Sequence, residues 1–141
     1  MEDKKFLITI DGTQVGEDEE DRVSLSTFGS FYKKDNVYYI TYEESAATGF
    51  EGDVTSLVID SDRMVTVNRT GVSNTHMVIE KGIRHMSYYT TDFGDIRLGI
   101  RADKIENQLN DNGGQLKLRY TLDINSMDLT TNELNINVRL M

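Results

Sequence analysis

The chain has 141 residues, 38% of them apolar, and its 24 acidic side chains against 15 Lys and Arg leave a net charge of −9. That length allows one domain with a real core. The acidic balance argues against a nucleic-acid backbone as partner. The absence of Cys removes disulfides, thiol nucleophiles and thiolate metal sites.

No stretch approaches the ~20 apolar residues of a membrane helix. The first apolar run, residues 6–10, is too short for a secretory signal. A cytoplasmic location without membrane contact is the expectation. Turns must be made without proline, since the chain has none.

In chain order, residues 4–14 alternate through Phe6, Ile8 and Ile10 and predict a first strand. Residues 15–21 read as a solvated acidic loop, because they lack the D-x-D-x-D-G spacing of a calcium loop. Residues 22–32 and 37–45 predict a hairpin around Lys33–Asn36, with Tyr32 against Val37. Residues 46–53 form a small-residue linker, and residues 54–60 a further strand.

Residues 63–101 are punctuated by Gly71, Gly82 and Gly94, the pattern of consecutive hairpins. Turns at 71–73, 81–82 and 92–94 predict three sets of pairs. They are Val67 with Met77, Met77 with Met86, and Tyr88 with Leu98. One face then holds Val65, Val67, Met77, Ile79, Met86, Tyr88, Ile96, Leu98 and Ile100. The other holds Asn68, His76, Glu80, His85, Ser87 and Arg97.

After Ile100 the alternation slips. A β-bulge near 102–104 restores it; the rival for 103–112 is a helical turn capped by Asp103. A turn at 110–114 follows, then strict alternation through Leu116, Leu118, Tyr120 and Leu122. Residues 126–131 turn again, before Leu134, Ile136, Val138 and Leu140. The fold class predicted is all-β: an antiparallel up-and-down meander of eight to ten strands in one domain, residues 1–141. Closure into a barrel removes the exposed edges, with a sandwich as the alternative.

The runs F-Y-K-K-D-N-V-Y-Y-I-T-Y-E (31–43), V-T-V-N-R-T-G (65–71), Y-T-T-D-F-G (89–94) and G-G-Q-L-K-L-R-Y (113–120) resemble the YwiB-like family. These are small bacterial proteins classed as a domain of unknown function. The resemblance spans nearly the whole chain and implies a calycin-type, lipocalin-like barrel in the bacterial cytoplasm. It implies no reaction and no catalytic residues.

The chemistry-bearing residues are sparse. Asp92-Phe93-Gly94 spells a kinase magnesium motif, but the remaining kinase elements are missing, so it reads as a turn. His76 and His85 with Glu80 have the donor types of a zinc site; on the outer face, without further ligands, they read as exposed histidines. No nucleophile elbow or Ser–His–acid arrangement is evident. No catalytic residue, metal or cofactor is therefore assigned, and an enzyme ranks last among the functions considered.

Arg69, Arg84, Tyr88, Thr90 and Tyr120 stand out because alternation puts them on the apolar face. A charge there must be paired or lie at a mouth open to water. Arg69 and Arg84 would mark opposite barrel ends. Their stems can pack while the heads snorkel outward, or an arginine at a cavity mouth can hold an anionic amphiphile. The functions in play are thus a barrel that binds a small, partly apolar ligand, and a packed interaction module with an acidic surface.

Overall fold

The computed structural model describes residues 6–16, 20–45, 51–71, 74–91 and 94–141. They form ten antiparallel strands and no helix. The first five are β1 (Phe6–Val15), β2 (Glu20–Lys34), β3 (Val37–Glu43), β4 (Val54–Asp60) and β5 (Met64–Thr70). The others are β6 (Thr75–Glu80), β7 (His85–Thr91), β8 (Gly94–Asn110), β9 (Gly113–Ile124) and β10 (Met127–Leu140).

The sheet order is β6-β5-β4-β3-β2-β1-β10-β9-β8-β7. The first strand pairs along its whole length with the last, Phe6 with Leu140 through Val15 with Thr131. The result is a nearly closed barrel whose one seam lies between β6 and β7. Because the strands run up and down, successive connections alternate between its two ends.

The alternating residues fill the interior. Ile8, Ile40, Ile59, Val65, Ile79, Ile100, Leu116 and Ile136 are sealed from solvent, and each such side chain contributes about 1.5–3 kcal/mol by burial. Phe31 stacks on Tyr38 at 5.3 Å and meets Phe6 edge-on at 5.2 Å. Leu118 and Val138 point inward, as their alternation predicts, while Lys117 is exposed.

The β5–β6 pairing matches the expected register, with Val65 opposite Ile79, Val67 opposite Met77 and Arg69 opposite Thr75. The bulge is present: the β8–β9 register shifts between Ala102 and Lys104, and Ile105 is buried. That excludes the helical turn at 103–112.

Four expectations are corrected. The β2–β3 turn is the pair Asp35–Asn36, both at positive φ, so Lys34 pairs with Val37 and Tyr32 with Tyr39. This two-residue slip preserves the faces. Met127 already belongs to β10, and Asn125–Ser126 alone make the preceding turn.

The third correction changes faces. Thr91 pairs with Gly94, so two residues rather than three join β7 to β8. That single step moves the described β7 side chains, His85 to Tyr88, to the other side. Tyr88 stands opposite Arg97, and His85 opposite Ile100. Tyr88 is accordingly 74% exposed and Met86 39% exposed.

The fourth concerns the expected β6–β7 hairpin at 81–82. It does not form a ladder. The Gly82 N–H instead donates to the Ala102 carbonyl at 3.0 Å, and Lys81 bridges Ala102 of β8. The acidic residues 17–19 and the linker residues 46–50 lie outside the described residues; Glu20 and Asp21 belong to β2.

Candidate functional site

The polar side chains buried in this barrel gather at one end. One cross-strand row on the inner face reads Tyr42, Thr55, Arg69, Thr75 along β3, β4, β5 and β6. The Glu44 N–H donates to the Asp53 carbonyl at 2.7 Å, which extends the β3–β4 ladder by one step. Glu44 follows Ile40 and Tyr42 in phase, and Asp53 precedes Thr55 and Leu57 in phase. Both acids are buried, as are Thr55 and Thr75.

The Glu44 side chain is only 2% exposed and that of Arg69 18%. Thr55 Oγ1 donates to Glu44 Oε1 at 2.6 Å. Arg69 reaches the same oxygen through Nη2 at 3.5 Å and Thr55 Oγ1 through Nε at 3.4 Å. Glu44 Oε2, also buried, has no hydrogen-bond partner among the described residues.

The Asp53 carboxylate packs so closely on Gly71 that a Cβ there would overlap it, and Gly71 has a φ of 148°. Only glycine suits that position. Burial, then the Glu44 charge, push the Tyr42 hydroxyl well above its ordinary value, with Arg69 opposing. The half-buried Tyr120 is likewise raised by burial and pulled down by Arg69.

The seam lies beside this cluster. At its base His85 Nε2 meets Glu80 Oε1 at 2.8 Å. Further along, Ser87 Oγ donates to the His76 carbonyl at 3.0 Å. A side chain thus spans a gap where a closed ladder would use backbone alone. A groove of about 490 Å³ opens there, lined by Arg69 and Thr75 and by His76, Met86, Ser87 and Tyr88. The groove is a shallow depression open to solvent, lined by the outward-facing Met86 and Tyr88 and by Arg69 and Thr75 of the core face.

Of the residues singled out from sequence, Arg69 and Tyr120 lie inside and Tyr88 stands on the outer lip of the groove. Thr90 is in β7 opposite Asp95, its side chain outside the described residues. Arg84 is not on the apolar face, which corrects that expectation. It lies outside the barrel and grips Asp123 with two bonds of 2.9 and 2.7 Å. Gly99 makes room, since a Cβ there would overlap both partners. Arg84 holds the Asp123 carboxyl below its ordinary value.

His76 is exposed and bonds Asn68, whereas His85 bonds Glu80. Among the described residues no group of three or more His, Cys, Asp or Glu is placed to hold a metal. No helix among them is long and apolar enough to cross a membrane.

Sequence reasoning missed Glu44 and Asp53. The signal was there: Glu44 continues the inward phase of β3 one step past Tyr42, and Asp53 that of β4 one step past Thr55.

The family model described as a domain of unknown function (DUF1934) matches residues 8–136. The chain is 25% identical over 120 residues to the uncharacterized beta-barrel protein YwiB of Bacillus subtilis (strain 168), covering 85% of this chain and 78% of that protein. The crystal structure of the ywiB protein from Bacillus subtilis superposes with a TM-score of 0.75 at 18% identity, over 95% of this chain and 91% of that one. The likeness carries the barrel fold.

Proposed function

The chain belongs to the DUF1934 family of unknown function, and on that premise we propose that it is a non-catalytic binding protein. It takes a small, partly apolar ligand into the polar end of the barrel through the slit between β6 and β7. The carrying observation is that Arg69 lines the groove and also pairs with the buried Glu44. An apolar part would pack on Met86 and Tyr88, and a polar head would reach the Arg69–Glu44–Thr55 cluster. Pockets of this kind combine apolar walls with a few convergent polar groups. A location in the bacterial cytoplasm is part of this proposal.

A neutral, environment-sensitive dye such as N-phenyl-1-naphthylamine tests the reading without prejudging charge. Saturable fluorescence enhancement is expected, and Ser87→Phe, which fills the slit, should weaken it several-fold. No saturable binding by the wild type would overturn the proposal.

A second reading rests on the sealed isoleucines of the interior. The barrel would then be a packed scaffold whose acidic end meets another protein. That function predicts salt-sensitive binding of a basic peptide together with no binding of the dye.

A further inference from the structure

The groove at the seam stands apart by its lack of charge. Asn68 and Thr70 of β5, Asn74 just before β6 and His76 of β6 form its polar side, and Met86 and Tyr88 of β7 its apolar side. Among the described residues that line it, Arg69 alone is a Lys, Arg, Asp or Glu, and its guanidinium is turned toward Glu44 and Thr55. The groove on the outer face of β8, β9 and β10 is the opposite case, lined by Lys104, Glu106, Lys117, Arg119 and Glu133. In a chain in which 28% of the residues are charged, a nearly neutral lining discriminates between ligands. A cationic head meets no carboxylate in it, and an anionic head meets only an arginine already engaged with Glu44.

The polar side mixes donors and acceptors. Asn68 Oδ1 and His76 Nδ1 bond each other at 2.5 Å, and Asn74 Oδ1 accepts from the Gly71 N–H at 3.4 Å. Those bonds orient the side chains. They leave Asn68 Nδ2, Asn74 Nδ2, His76 Nε2 and the Thr70 hydroxyl without a partner among the described residues. The amide nitrogens donate, the hydroxyl does both, and the imidazole nitrogen does either according to its tautomer. Across the seam the Tyr88 ring lies exposed.

We infer that the ligand of this groove is an uncharged glycoside, a sugar carrying a short apolar chain. The inference rests on the binding function proposed above and deepens it. Sugar hydroxyls both donate and accept, so they match amide, hydroxyl and imidazole partners without bringing a charge. A sugar ring also has a face of C–H bonds, which packs on an exposed aromatic ring such as Tyr88. The apolar chain lies along Met86, whose unbranched side chain adapts to irregular apolar contacts. A depression open to water suits such a head, because its outer hydroxyls stay hydrated and only the bound ones must find protein partners.

The test titrates octyl glucoside, octanol, octanoate and octylamine, each below its aggregation limit, by calorimetry against the wild type, Thr70→Val and Asn68→Ala. Octyl glucoside should bind at one site and about tenfold tighter than octanol, with the two charged probes no tighter than octanol. Each substitution should cut the glucoside affinity at least about threefold and leave that of octanol unchanged. Thr70→Val removes only the hydroxyl, from an exposed strand position that suits a β-branched residue. It keeps the test decisive where Asn68→Ala, which takes a partner from His76, fails to fold.

Octanol binding as tightly as the glucoside overturns the inference, and so does a preference for octanoate or octylamine. A glucoside preference that survives both substitutions also overturns it, because the sugar is then read elsewhere. In each case the neutral dye still binding leaves the broader proposal intact. Failure of the dye and of all four alkyl probes overturns both.

Discussion

Two guanidinium–carboxylate pairs sit in this barrel under opposite conditions. Arg84 and Asp123 meet outside, by two parallel bonds of 2.9 and 2.7 Å, with Arg84 43% exposed. Arg69 and Glu44 meet inside at 3.5 Å, with one carboxylate oxygen left over. The well-made pair is where water would have served nearly as well. The loose pair is where desolvation makes looseness expensive. A fold seeking stability alone would reverse that allocation, because bidentate geometry is worth most out of water. The inner pair is therefore where we propose the site, and the outer one is a clasp between the segment before β7 and the end of β9.

The largest expected effect breaks the inner pair. Arg69→Met leaves Glu44 buried without the cation it pairs with. Removing one partner of a buried pair costs about 3–5 kcal/mol, and the long contact places this case at the lower end. Denaturant melts should therefore give a loss of about 3 kcal/mol, with Glu44→Leu in the same chain restoring part of it. A neutral Arg69→Met would mean that the inner charges are solvated, and the contrast between the pairs would collapse.

Next in size is the apolar wall. Leu118→Ala should cost about 2–5 kcal/mol, since Leu118 is sealed in the core. Lys117→Ala on the neighbouring wet face should stay within about 0.5 kcal/mol of neutral. The reverse order would put the β9 register one residue out.

The outer pair should reveal itself through pH. Asp123 is held below its ordinary 3.8 by the Arg84 bonds. A carboxylate depressed in the folded state contributes stability above its unfolded value. That contribution is lost as pH falls through 3.8 and on through the lower folded value. Asp123→Asn should flatten this acid limb while leaving the neutral-pH slope unchanged. An acid limb unaltered by Asp123→Asn would show that other carboxylates set it.

What was legible from sequence divides along the same line. Alternation alone placed Leu116, Leu118, Ile136 and Val138, because a half-buried strand must sort its side chains by period two. The bulge was legible because Ile105 had to return to phase. The β7 side chains were not, because register there hangs on one residue in a turn. His85-Met-Ser-Tyr-Tyr-Thr-Thr91 gives little guidance: Met86 and Tyr88 look like core, and only the pairing with β8 turns them outward. Arg69 was legible as an inward charge. Its partner Glu44 was passed over because a strand end is where alternation is expected to lapse.

The smallest effect on stability belongs to Tyr88, and it separates site from scaffold best. Its ring is 74% exposed on the outer lip of the groove, so truncation removes little buried surface. Tyr88→Ala should stay within about 0.5 kcal/mol of wild type in a denaturant melt. Binding should behave differently. If the ligand's apolar part lies along the seam, the ring covers it from outside, and Tyr88→Ala should weaken the neutral dye several-fold. Tyr32 supplies the control: it is 52% exposed and stacks on Tyr39 at 4.9 Å, away from the seam. Tyr32→Ala should leave dye affinity unchanged. Equal losses from both variants would mean that the dye coats exposed aromatics, and the seam would lose its claim as the entrance.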